Sequence, residues 1–338
     1  MVNKVGIIGC GKIFPRHLEA IEYNNDYKLV SVCDIDVGAL KKAQQLPVVR
    51  GYTCYKEMIE KEDLNFIVVA TPNSLHYEQS MHALSNGCDV LIEKPATLNP
   101  NLIQNLIAES EKTGQNIYCV LQVRLNSCIH NLKHLIDNNK IGNIRGVSLI
   151  QRWQRPKEYF YDWRGTPEIG GGILHECGIH YLDIMCYLLG KPNVISSQKY
   201  NTKHRGTEIE DTVYSIVDYG DFGGNIEVNI SSEPQNLECS ISIMTDLGFI
   251  KLGGKAMNEV ETLLFLDKKK EKEIRNYMNS NSFVGTPNSY GSYAGSCPNH
   301  PELYKNIQNF SLKETQMVLS LISEIYMNCG IIYEENDE

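Results

Sequence analysis

From the N-terminus to residue 124, short apolar runs alternate with helical patterns. Val5 to Ile8, Leu29 to Cys33, Phe66 to Ala70, Val90 to Ile92 and Ile117 to Val123 are mostly rich in Val and Ile and short enough for buried strands. Between them, residues 75–86 read as a helix ended by Gly87. Asn99 followed by Pro100 reads as an N-cap with proline at the first helical position, ahead of the stripe Leu102, Ile103, Leu106 and Ile107 and a stop at Gly114. Such alternation predicts βαβ units on a doubly wound parallel sheet.

After residue 125 the texture changes. A helix over 126–138 precedes strand-like segments with no helices between them: 144–154, 213–219, 225–230, 239–244 and 249–252. Turn signals such as Tyr219-Gly220-Asp221 and Gly253-Gly254 predict an open, mostly antiparallel sheet covered on one face by helices. The expected organisation is a first domain over 1–124 and a second over 125–338, whose helix at 313–329 packs back on the first. One apolar helix is expected over 173–189, bounded by glycines, and a long loop over 267–300.

Composition narrows the function. The 338 residues carry 32 Lys+Arg against 41 Asp+Glu, a formal net charge of -9, which removes the general attraction that nucleic-acid binding needs. No apolar run approaches the ~20 residues of a membrane span. The start, Met1-Val2-Asn3-Lys4-Val5, enters a strand pattern without an apolar leader, predicting a cytoplasmic protein. The 11 cysteines include no C-x-x-C pair, so they read as reduced core residues rather than a zinc or disulfide framework, and no metal is expected.

Chemistry concentrates in four places. Gly9-Cys10-Gly11-Lys12-Ile13 follows the first strand, and its glycines would let a pyrophosphate lie on the next helix N-terminus. The third glycine of G-x-G-x-x-G is replaced by Phe14. Asp34 ends the second strand 20 residues after Phe14, where a carboxylate accepts both ribose hydroxyls of NAD and repels the 2'-phosphate of NADP. Thr71-Pro72-Asn73, with His76 after it, stands past a strand at the edge where such sheets bind ligands. Glu93-Lys94-Pro95 puts a lysine at another strand end, suited to proton transfer or to polarising a substrate hydroxyl. Farther on, Glu176, His180 and Asp183 share a helical i, i+4, i+7 stripe after three glycines, with His180 as the acid/base and a carboxylate as its orienter.

This set, in this order, resembles the Gfo/Idh/MocA family of NAD(P)-dependent sugar oxidoreductases along essentially the whole chain. The resemblance implies a Rossmann domain followed by an α/β domain with an open, mostly antiparallel sheet. Val120 to Leu125, Trp163-Arg164-Gly165, 288–293 and 299–304 further resemble dehydrogenases that oxidise C3 of UDP-N-acetylglucosaminuronic acid for surface-polysaccharide synthesis. One departure stands out: Glu176 occupies a position where many members carry Asp, and this subgroup often Asn.

On that resemblance Lys94 and His180, able to exchange roles, are the catalytic pair, with Glu176 beside them. The NAD contacts are Gly9, Gly11, Lys12, Ile13, Asp34, Thr71, Pro72, Asn73, His76, Glu93, Lys94, Gln122, Trp163 and Arg164. Lys94, Arg124, Tyr161, Glu176 and His180 meet a nucleotide sugar, Arg124 through its carboxylate or phosphate. A homo-oligomer, dimer or tetramer, is expected through the open sheet face. A free polyol (inositol-type) dehydrogenase, an NAD-dependent glycosidase and a non-enzymatic ligand sensor are the other readings this fold allows.

Overall fold

Val5, Ile7 and Ile8 are buried on strand β1 (Asn3–Ile8), as is every residue of β4 (Phe66–Val69). Burial on both faces is what the centre of a parallel sheet demands. With β2 (Tyr27–Cys33), β3 (Arg50–Tyr52), β5 (Asp89–Ile92) and β6 (Ile117–Cys119) these strands make one sheet in the order β3-β2-β1-β4-β5-β6, every pair parallel. The strand order reverses between β1 and β4, and their carboxyl ends define the ligand-binding crevice of a doubly wound sheet. This computed structural model describes residues 2–44, 49–280 and 300–331.

The helix signals act as read. Asn99 Oδ1 accepts from the Asn101 amide at 3.0 Å ahead of the helix Asn101–Thr113, and Gly114 closes it at φ 72°. The helix His76–Ser85 is followed by Gly87 at φ 79°.

A second sheet has the order β13-β12-β11-β7-β10-β9-β8. Its strands are β7 (Ile144–Arg152), β8 (Asn193–Tyr200), β9 (Thr212–Asp218), β10 (Gly223–Asn229), β11 (Glu238–Thr245), β12 (Gly248–Gly253) and β13 (Glu259–Phe265). Only β7 and β10 pair in parallel. Burial alternates along β7, where Val147, Leu149 and Gln151 point inward and the helix Ile179–Leu189 packs. By register Tyr214, Ile216, Met244 and Leu264 lie on the opposite face, and each is about half exposed.

The chain divides into two compact units: Met1–Val120 with Glu168–Gly170 and Asn299–Gln316, and Leu121–Pro167 with Gly171–Pro298 and Met317–Glu338. The helix Leu312–Asn328 contains the last of these boundaries.

Several local expectations are corrected. Residues 268–280 form a helix, Lys268–Ser280, rather than part of a loop: Asp267 Oδ1 accepts from the Lys269 amide at 2.8 Å, and Ile274 and Met278 bury one stripe while the Lys/Glu run faces solvent. The remainder of that expected loop, together with the 288–293 motif and Asn299, lies outside the described residues. Strands β3, β8 and β13 were not anticipated, because one is a short glycine-containing edge strand and the other two are half polar, the apolar positions of β13 being confined largely to its end. The apolar stretch after residue 117 is a strand only to Cys119, and Gln122–Leu125 is a 3-10 turn. The ten described cysteines are all free thiols.

Candidate active site

In the first unit, the turn after β1 is set by Gly9 at φ 103°. A Cβ there would sit 2.3 Å from the Ala70 carbonyl oxygen, so the β1 and β4 ends approach this closely only at glycine. A Cβ at Gly11 would meet nothing within 4 Å, and Gly11 and Lys12 are exposed, so no side chain among the described residues plugs the bend. Asp34 braces it from β2, its Oδ2 accepting from the Cys10 amide at 2.7 Å and its Oδ1 from the Asp36 amide at 2.8 Å. An open glycine cradle with a part-buried carboxylate at the neighbouring strand end suits a dinucleotide.

Thr71 Oγ1 donates to Gln79 Oε1 at 2.6 Å, and Asn73 Nδ2 donates to the Gly170 carbonyl at 2.9 Å, so this loop is stiffened from both sides. His76 was expected among the cofactor contacts. Instead its ring is wholly buried, with Nδ1 2.7 Å from the Pro95 carbonyl oxygen and Nε2 2.9 Å from that of Thr71. Burial pushes its pKa down, against the two carbonyls, and its role is a strut between two loops.

Glu93, also expected among the cofactor contacts, is enclosed similarly. Oε1 lies 3.0 Å from His17 Nε2 and 3.1 Å from His300 Nε2, and Oε2 accepts from the Lys94 amide at 3.2 Å. Burial pushes the carboxyl up, but the two imidazole hydrogen bonds outweigh it and hold its pKa well below the usual carboxylate range. The charge is therefore spent on internal partners. Lys94 follows, partly exposed, and the Lys94–Pro95 peptide is cis.

In the second unit, the expected apolar helix is two pieces. Residues Leu174–Gly178 form a π turn, and the α-helix runs over Ile179–Leu189. Gly172, at φ 88°, makes the turn possible: a Cβ there would stand 2.3 Å from Tyr326 Oη and 2.7 Å from Glu210 Oε1, which cap the backbone amides of Leu174 and Ile173. The π turn breaks the regular i, i+4, i+7 stripe. Each carboxylate of that stripe has its own arginine. Glu176 Oε1 accepts from Arg164 Nε at 3.0 Å and Tyr159 Oη at 2.9 Å, and Arg164 stacks on Trp163 at 4.2 Å. Asp183 is fully buried and accepts from Arg124 Nε at 2.7 Å and Nη2 at 2.5 Å. Burial pushes the Asp183 carboxyl up while Arg124 opposes it.

Arg124, expected to meet a substrate anion, makes a buried two-point pairing with Asp183. Tyr161 is exposed and His180 part-exposed. Gln122 Oε1 is buried with no hydrogen-bond partner among the described residues, an acceptor left for an amide donor. Tyr159 and His17 were missed by sequence reasoning, each being one of many similar residues with no local motif, while His300 and Tyr304 belong to the 299–304 motif, to which no role had been given.

Comparison with known proteins follows this geometry. A family profile described as the oxidoreductase family, NAD-binding Rossmann fold, matches residues 3–121, and the C-terminal domain profile of the same family matches 129–251. A crystal structure of the WlbA dehydrogenase from Bordetella pertussis in complex with NADH and UDP-GlcNAcA superposes with a TM-score of 0.84 at 26% identity, covering 98% of each chain. Among curated proteins, oxidoreductase P35 of Formosa agariphila and D-glucoside 3-dehydrogenase of Escherichia coli are each 29% identical, over 55% and 61% of this chain. The matched region spans 60% and 59% of those two relatives' own lengths.

Proposed function

We propose, since this chain belongs to the Gfo/Idh/MocA family of NAD-binding oxidoreductases, that it oxidises a secondary alcohol of a nucleotide-linked sugar to a ketone. The substrate we favour is UDP-N-acetylglucosaminuronic acid, oxidised at C3 for surface-polysaccharide synthesis. The observation that carries this reading is the likeness to WlbA along 98% of both chains.

Bound NAD supplies the hydride acceptor. Gly9, Gly11, Lys12 and Ile13 would cradle its pyrophosphate, Asp34 its ribose hydroxyls, and Thr71, Pro72 and Asn73 would line the crevice. Gln122 offers its buried oxygen to the carboxamide, and Trp163 and Arg164 flank it. Lys94 hydrogen-bonds the hydroxyl oxygen through its ammonium, and His180 takes the hydroxyl proton at an imidazole nitrogen. Glu176 keeps Arg164 in place, and its length relative to Asp tunes how far that guanidinium reaches. The exposed apolar face of the second sheet supports a homo-oligomer, and on this reading the protein is assigned to the cytoplasm.

A second reading, oxidation of a free glycoside or inositol, draws support from the curated relatives. Purified protein loaded with NAD and offered UDP-N-acetylglucosaminuronic acid, UDP-N-acetylglucosamine, methyl glucoside and myo-inositol separates the two by NADH absorbance. Reduction by the UDP-uronic acid alone is expected; turnover of a free sugar with inert UDP-sugars would reject the first reading. Lys94→Ala and His180→Ala are each expected to lower turnover by about 10² or more while NADH still binds.

A further inference from the structure

We propose that His17, His300 and Glu93 form a buried clamp that fixes the main chain of Lys94, making the two histidines positioning residues for that lysine; this rests on the reading of Lys94 as the group at the reacting hydroxyl. Glu93 is the first residue past β5. Its Oε1 takes both imidazoles, at 3.0 and 3.1 Å, and its Oε2 takes the Lys94 amide at 3.2 Å. On the other side, the Pro95 carbonyl is held by His76 Nδ1 at 2.7 Å. The peptide unit entering Lys94 is thus tied to the imidazole-held Glu93 carboxylate, and the one leaving Pro95 to a buried imidazole.

The clamp gathers distant parts of the first unit. His17 lies in the helix Phe14–Tyr23, which directly follows the glycine bend. His300 and Tyr304 share one face of the helix His300–Lys305, and Tyr304 Oη lies 2.9 Å from His17 Nδ1. The rings of His17 and His300 meet edge to face at 4.8 Å, and their side chains are 0% and 2% exposed. A hydroxyl donating to His17 Nδ1 leaves Nε2 as the protonated nitrogen, so that imidazole donates to Glu93. A buried carboxylate with two imidazole donors is a costly way to fill space, since apolar side chains of like volume serve stability as well or better. What it adds is a fixed direction for the amide that follows.

The same three side chains offer ligand atoms within 4.8 Å of one another, which raises a metal ion as an alternative occupant. The spacing argues against it. Bonds of 2.0–2.1 Å in a tetrahedron keep ligand atoms roughly 3.3–3.4 Å apart. The two Glu93 contacts are shorter and are ordinary hydrogen bonds. Arg16 also acts on His300 as a positive charge, unfavourable for a cation.

The test uses the full chain with H17L, H300L and H300Q, glutamine keeping an N–H donor toward Glu93. Three quantities are read: NADH affinity by fluorescence, the acetylation rate of Lys94 by acetic anhydride followed by peptide mass spectrometry, and kcat against KM for the sugar. We expect the leucine variants to bind NADH within about 3-fold of wild type, to change Lys94 acetylation by about 5-fold or more, and to lose about 10-fold in kcat with KM little altered. H300Q should recover at least half of the acetylation and kcat changes. Unchanged acetylation in both leucine variants overturns the clamp, as does equal loss of NADH binding in H300L and H300Q, which would mark a role in folding only. One divalent ion per wild-type chain, lost in H300L by elemental analysis, would overturn it in favour of an ion site. If wild type turns over no sugar, the proposed function fails, while the acetylation rates still decide the clamp.

Discussion

Asp34 is placed for two duties in one carboxylate. Its oxygens accept from the amides of Cys10 and Asp36, bracing the glycine bend, yet the group remains partly open to solvent and can still receive hydroxyl donors. Asp34→Ala is expected to weaken NADH relative to NADPH by about 10-fold, read from parallel fluorescence titrations; an unaltered ratio would remove the ribose assignment. Gly9, Asp34 and Lys94 were legible as candidates because each belongs to a local pattern of strand, turn and helix. The partners of Glu93 were not. His17 and His300 stand 76 and 207 residues from it, and Tyr304 stands 287 from His17, so nothing within a window of sequence links them. The internal partners of His76, Glu93 and Arg124, from which ligand contacts were expected, were equally hidden from the sequence. A polar residue at a strand end or beside a motif looks free until the chain that satisfies it is folded.

Among the elements, the segment from Leu174 to Leu189 shows how packing overrides periodicity. The sequence reads as one apolar helix, but Gly172, Glu210 and Tyr326 force its first turn wide, and the two carboxylates of the stripe are turned to different arginines. Arg124 and Asp183 then pin the 3-10 turn Gln122–Leu125 to the following α-helix, with Tyr187 against the guanidinium at 4.9 Å. Both groups are buried, so removing one leaves an uncompensated charge. Arg124→Met or Asp183→Asn alone should cost about 3–5 kcal/mol in chemical denaturation, and the double variant should recover part of it; additive losses would show that the two do not act as a pair. Strands with continuous or alternating apolar positions were recognisable. Those that failed, such as Asn193–Tyr200 and Glu259–Phe265, mix polar and apolar residues without a sustained apolar pattern and are recruited by pairing with neighbours rather than by their own composition.

For the molecule as a whole, buried histidines set an acid limit. Burial lowers the pKa of both His76 and His300 below the usual value near 6.5. The unfolded chain therefore binds protons that the native state refuses, and stability present above about pH 6.5 is lost as pH falls toward the lowered native values. Glu93, held well below its usual range, adds a further loss below about pH 4.5. Urea midpoints should stay flat from about pH 8 to 7 and decline below about 6.5, and His76→Gln should shallow that decline; a midpoint that rises on acidification would contradict the buried neutral imidazoles. The segment Asn299–Gln316 gives the first unit a different kind of limit. On the ribosome, the nucleotide-binding half emerges early but must wait for nearly the entire chain before His300 and Tyr304 arrive to close over Glu93. Until then Glu93 has only His17 and the Lys94 amide as partners, and a nascent chain stalled anywhere before residue 300 would hold a half-built lysine site open to chaperones and proteases.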